Sequence, residues 1–126
     1  FALIDKRRFA PNKAKINHLI GDLKNMDVLI IDDMIDTAGT LVNAANAALE
    51  QGSKSVTAIA THGVLSDPAI DRLKKSKIKK IIITDTISIP KQKLFKKLKI
   101  MSVSGIFGQA VDRVHNGESV SALFEY

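Results

Sequence analysis

The 126-residue chain is long enough for one domain with a real core, and its 45% hydrophobic and 25% charged residues are ordinary for a soluble globular protein. It has no cysteine, which excludes a disulfide frame and a thiolate metal site, and no apolar run approaches the length of a membrane span. The formal net charge of +6 is concentrated between Arg72 and Lys99, where eleven Lys or Arg face one acid, Asp85.

That basic stretch contains one aromatic residue, Phe95, so it offers no stacking platform for single-stranded nucleic acid. Solvated surface, partner docking and phosphate attraction all remain open for it. No signal peptide is visible, so the cytoplasm is the expected compartment, and neither a membrane nor a nucleic acid is an expected partner. The chain opens on Phe1 and enters at once on a strand-like run, from which we expect a fragment of a longer protein.

Phe1 to Ile4 reads as a short apolar strand ending at Asp5. Lys6-Arg7-Arg8 follow, then Phe9 to Asn12. Pro11 and Asn12 are turn residues and the segment has neither helical nor strand period, so a mobile loop is expected. Its three adjacent cations are either a solvated basic turn or a functional charge cluster at a strand end. Ile16 to Leu23 is expected to pair as a short strand or arm, with turns at Gly21-Asp22 and Asn25.

Val28 to Thr40, VLIIDDMIDTAGT, is the most informative stretch. Four branched apolar residues, Val28 to Ile31, predict a buried strand of a parallel sheet. Asp32-Asp33 are expected to end it, since two carboxylates do not continue a dry strand. Asp36, Thr37, Ala38, Gly39 and Thr40 then lead into an amphipathic helix. Strand end, small-residue loop and helix N-terminus together form the place where open α/β sheets bind ligands. Loop amides, two hydroxyls and the helix dipole suit a phosphate monoester, and Ala38 and Gly39 let the backbone approach it. Asp32 and Asp33 suit neighbouring hydroxyls or a metal, so a sugar phosphate satisfies the whole loop. The plainer alternative is a helix capped by Asp36 or Thr40.

In the following helix Leu41, Ala44, Ala45, Ala48 and Leu49 share one face, and Gly52 is its stop. Val56 to Ala60 is the next strand. His62 stands at its end, as a catalytic group or as a hydrogen-bonded structural one. Asp67-Pro68 is expected to open a helix as N-cap and first-turn proline, with Ala69, Ile70 and Leu73 inward. Ile81 to Ile83 is a third strand, Lys91 to Leu98 a short basic helix and Ile100 to Val103 a fourth strand. A last helix, Gly105 to Asn116, is expected to bury Ile106, Phe107, Ala110, Val111 and Val114. Gly117 closes it, and Val120 to Phe124 is read as an edge strand. Strands alternating with helices predict an α/β fold, a mostly parallel twisted sheet with helices on both faces.

The loop at Val28 to Thr40 resembles the phosphoribosyl-binding motif of the type I phosphoribosyltransferase fold. DKRR at Asp5 to Arg8, THGVLS at Thr61 to Ser66, TDTI at Thr84 to Ile87 and HNGESVSALF at His115 to Phe124 extend the match. In order and spacing they resemble the ribose-phosphate diphosphokinase (phosphoribosyl-diphosphate synthetase) family, over essentially the whole chain. The resemblance implies a single, incomplete C-terminal phosphoribosyltransferase-like domain spanning residues 1–126. It implies transfer of the diphosphoryl group of ATP to the 1-hydroxyl of ribose 5-phosphate, giving phosphoribosyl diphosphate and AMP for nucleotide biosynthesis, with Mg²⁺ as cofactor.

Carried over residue by residue, Lys6 and Arg8 match catalytic-loop cations. Arg8, Asp32, Asp33, Asp36, Thr37, Ala38, Gly39 and Thr40 match the ribose-5-phosphate site. Ser119, Val120, Ser121 and Phe124 match a regulatory anion site between subunits, where inorganic phosphate activates and ADP inhibits. A homo-oligomer, a hexamer by family resemblance, is implied. The family's adenine-binding residues and metal ligands lie upstream of this segment, so no metal ligand is expected in this chain and the fragment alone is expected to be inactive. Alternatives are a phosphoribosyltransferase that consumes phosphoribosyl diphosphate, a non-catalytic regulatory homologue, and a nucleic-acid regulator on the same fold.

Overall fold

The structure is a computed structural model and describes residues 3–10 and 13–124, with side chains from Gly21 to Phe124. Strands β1 (Leu3–Ala10) and β2 (Lys13–Ile20) form a separate antiparallel pair. Four parallel strands make the main sheet, in the order β3 (Asp27–Ile35), β4 (Ser55–Gly63), β5 (Lys80–Thr84) and β6 (Leu98–Met101). Helix α1 (Gly39–Glu50) joins β3 to β4, α2 (Ala69–Lys75) joins β4 to β5, and α3 (Ser104–His115) follows β6. This is the expected alternation and the expected parallel sheet.

The register sorts the side chains by face. Val28, Ile30 and Asp32 of β3 pair with Val56, Ala58 and Ala60 of β4, and Ala58 and Ala60 with Ile81 and Ile83 of β5. That face meets Leu41, Ala45 and Ala48 of α1 and Ala69 and Leu73 of α2 in one core, with Leu98 at its far side. Val56, Ala58, Leu73, Ile81 and Ile83 are fully buried there. Small alanines on both β4 and α1 allow the helix to sit close to the strand.

The opposite face carries Leu29, Ile31 and Met101, all exposed, Ile31 to 73%. Openness on that side changes the expectation for β3. It does not stop at Asp32-Asp33 but runs on to Ile35, because a strand with one solvated face can carry a carboxylate without drying it. Helix α3 differs too. Its apolar stripe forms as the period predicts, yet Ile106, Phe107, Val111 and Val114 are exposed and Ala110 only half-buried.

Other boundaries move. Strand β1 runs through Asp5 to Ala10, so Lys6 and Arg8 stand in a strand, not a loop, opposite Ile16 and Ala14. Phe1, Ala2 and the Pro11-Asn12 turn lie outside the described residues. Pro68 is the N-cap of α2 itself, after a cis Asp67-Pro68 bond. The expected basic helix shrinks to a 3₁₀ turn at Lys91–Lys93, and Val120 to Phe124 forms a 3₁₀ turn at Ser121–Phe124 rather than a strand. The lysines explain the first change: Lys93 Nζ donates to the Leu65 carbonyl at 2.6 Å. Lys97 Nζ reaches the end of α2, at 2.6 Å from the Ser76 carbonyl, 3.0 Å from that of Lys74 and 3.5 Å from that of Leu73. A cation on the last carbonyls of a helix satisfies groups with no partner in the helix and complements its dipole.

Candidate functional site

The candidate site is built by the end of β3, the loop after it and the start of α1. Ile35 is buried and closes the strand against the core, and its carbonyl accepts the Leu65 N–H at 3.0 Å. This ties the loop to the segment after β4. The chain then turns out: Asp36 is exposed, Thr37, Gly39 and Thr40 are half-buried, and Ala38 is buried. Ala38 is the N-cap of α1 and holds φ 61°, ψ 5°, the left-handed region. An alanine enters that region at a cost, and such conformations collect at ligand loops.

No side chain caps α1. The plainer expectation, a helix capped by Asp36 or Thr40, is therefore not what forms. The first turn of α1 keeps its amides and its positive dipole end for the loop side, with Thr37 and Thr40 beside them. Asp32 is half-buried on the helix-covered face and accepts the N–H of Asp33 at 3.0 Å, whereas Asp33 is exposed on the open side. The two carboxylates thus point to opposite faces of β3, and Asp32 is the one on the same face as α1.

A second layer surrounds the loop. The Arg72 guanidinium of α2 donates through Nη1 to the Thr37 carbonyl at 3.0 Å. A Cβ placed on Gly39 would lie 3.3 Å from the same Nη1. Sequence reasoning places Arg72 only within the basic stretch; thirty-five positions separate it from Thr37, so no local pattern marks the pair. His62 pairs in register with Met34 at the C-terminal end of β4. Its Nδ1 lies 2.9 Å from Thr86 Oγ1, and the Thr84 hydroxyl donates to the Thr61 carbonyl at 2.7 Å. This is the hydrogen-bonded histidine of the structural alternative.

The remaining expected site residues stand on other elements. Lys6 and Arg8 belong to β1, in register with Ile16 and Ala14 of β2. Ser119 and Ser121 meet each other through their hydroxyls, the Ser121 N–H donates to Ser119 Oγ at 3.2 Å, and Arg113 of α3 donates to the Ser119 carbonyl at 3.0 Å and pairs with Glu118 at 3.4 Å. Val120 and Phe124 are exposed, so Phe124 does not anchor the turn to the core. Among the described residues no group of three or more His, Cys, Asp or Glu could hold a metal ion, and no helix is long and apolar enough to cross a membrane.

Comparison with known proteins matches this arrangement. The family model for the phosphoribosyl synthetase-associated domain matches residues 6–125. A ribose-phosphate pyrophosphokinase of Caldanaerobacter subterraneus subsp. tengcongensis is 53% identical over 123 residues, 98% of this chain and 39% of its own. One of Fusobacterium nucleatum is 51% identical over the same shares. The crystal structure of phosphoribosylpyrophosphate synthetase from Mycobacterium smegmatis superposes with a TM-score of 0.77 at 38% identity, covering 79% of this chain and 33% of that one. The chain thus spans about two fifths of the length of the curated relatives it matches. With the match running through β3, the 32–40 loop and the 119–124 turn alike, this chain belongs to the phosphoribosyl synthetase family.

Proposed function

We propose that this chain is part of a ribose-phosphate diphosphokinase and supplies the ribose-5-phosphate half of its site, as an incomplete C-terminal domain. The observation that carries the reading is the loop after β3: left-handed Ala38, an α1 N-terminus without a side-chain cap, and two hydroxyls around it. Such a nest of amides fits a phosphate monoester. Residues Asp36 to Thr40 hold the 5-phosphate, and Asp32 and Asp33 engage the ribose hydroxyls.

In the reaction the ribose 1-hydroxyl oxygen bonds to the β-phosphorus of ATP, the bond from that phosphorus to the α-phosphate oxygen breaks, AMP leaves and the hydroxyl proton is released. Charge spreads over the transferred phosphates, so positioning and cationic stabilisation dominate the catalysis. Lys6 and Arg8 supply cations. Mg²⁺ characteristically takes one or two protein carboxylates and completes its shell with substrate oxygens and water. The resemblance puts the protein's metal ligands upstream of this segment, and the metal would neutralise phosphate charge. The test is calorimetry of ribose 5-phosphate with the full-length protein, together with AMP release from ATP plus ribose 5-phosphate. Saturable binding and turnover are expected; a protein that binds neither substrate refutes the reading. This chain alone, purified free of host enzyme, is expected to release no AMP.

A further inference from the structure

We propose that Arg72 is a positioning residue for the phosphate loop, acting through the peptide between Thr37 and Ala38; this rests on reading that loop as the 5-phosphate site. In a trans peptide the carbonyl and the N–H point in opposite directions. Arg72 Nη1 holds the Thr37 carbonyl toward α2 at 3.0 Å. The N–H of Ala38 is thereby turned the other way, out of the loop. Were that peptide to flip, the loop would present a carbonyl oxygen to the anion in place of a donor.

The loop needs such a hold. Ala38 sits at φ 61°, where an L-residue has no preference of its own to stay. Ala38 itself is buried, but Thr37 and Gly39 on either side are only half-buried, so packing grips the middle of the turn and leaves the orientation of its flanking peptides to hydrogen bonds. Arg72 is well placed to pin it. Its helix is rooted by Ala69 and Leu73, both fully buried in the core. The guanidinium lies close against Gly39, so no side chain stands between it and the turn. A charged donor on a carbonyl is among the stronger hydrogen bonds. The reach from α2 to the loop also explains why a residue so far along the chain bears on the site.

The test uses the full-length protein with Arg72→Met, which keeps the apolar stem and loses the donors, and Arg72→Lys, which keeps a donor. Two readouts are taken: the KM for ribose 5-phosphate beside that for ATP, and amide exchange at Ala38, Gly39 and Thr40. Arg72→Met is expected to raise the ribose-5-phosphate KM about tenfold or more, to leave the ATP KM within about twofold, and to speed exchange at the three amides. Arg72→Lys is expected to recover most of both effects. Unchanged exchange and KM in Arg72→Met would overturn the proposal. So would equal losses in both variants for both substrates with a lowered Tm, which would mark a merely structural arginine. If the wild-type protein shows no saturable affinity for ribose 5-phosphate, the reading of the site fails instead, and the exchange comparison still decides whether Arg72 holds the loop.

Discussion

Asp85 accepts the backbone N–H of Val103 through Oδ1 at 2.9 Å, and so ties the end of β5 to the N-cap of α3. A hydrogen bond from the Ser102 side chain and that of Val103 hold its carboxyl below the ordinary aspartate range. A depressed folded pKa stabilises the fold at pH values above the unfolded one, about 3.9, and the contribution is lost as pH falls through the lower folded value. Thermal stability should therefore be insensitive to this group from neutrality down to about pH 5 and decline below. Asp85→Asn should flatten that acid limb, as read from Tm against pH.

Gly63 ends β4 beneath Ile83, and a Cβ there would collide with Ile83 Cδ1. Ile83 is fully buried, so its side chain would have to shift within the core. Gly63→Ala should cost about 1–3 kcal/mol, the range for overpacking a core. Urea unfolding would show it as a lower midpoint at unchanged slope.

Gly39→Val tests the loop itself. The nearest atom to its Cβ, Arg72 Nη1 at 3.3 Å, is the far end of a flexible side chain, so the fold should survive. The branched side chain should instead obstruct the anion's approach to the amides. Calorimetry with ribose 5-phosphate should show affinity reduced or abolished; unchanged affinity would remove the loop from the site.

For Lys6 and Arg8 the expectation concerns rate. Lys6→Ala or Arg8→Ala in the full-length enzyme should lower kcat by roughly a hundredfold or more, the scale of losing one preorganised charge. KM should move less. A rise in KM alone would make them ground-state binders.

In the 119–124 turn the two serine hydroxyls already meet and Arg113 holds the Ser119 carbonyl. Ser119→Ala with Ser121→Ala should weaken activation by inorganic phosphate and inhibition by ADP together, in steady-state assays over both effectors. Normal responses to both would separate this turn from regulation.

The loop from Asp36 to Thr40 was legible in the sequence because its chemistry is local: small residues, hydroxyls and a helix start stand next to one another. The strand–helix alternation was legible for the same reason. What escaped depends on partners far along the chain. Asp32-Asp33 end a strand only if both faces are dry, and the open face of β3 could not be read from β3. The stripe of α3 is plain in its period, but periodicity says which residues share a face and not whether anything covers it. Arg72 looked like one cation among eleven until the fold set it against Thr37.

Lys97 shows that cations in this stretch are not interchangeable. Three carbonyls at the end of α2 converge on its single ammonium. A tetrahedral nitrogen can serve them together, whereas a planar guanidinium spreads its donors in a fixed fork and would have to leave some of them unserved. Lysine-to-arginine exchange, harmless at most exposed lysines, should therefore loosen the join between α2 and the strand that follows. Charge count alone would conceal this, since the substitution leaves the net charge untouched.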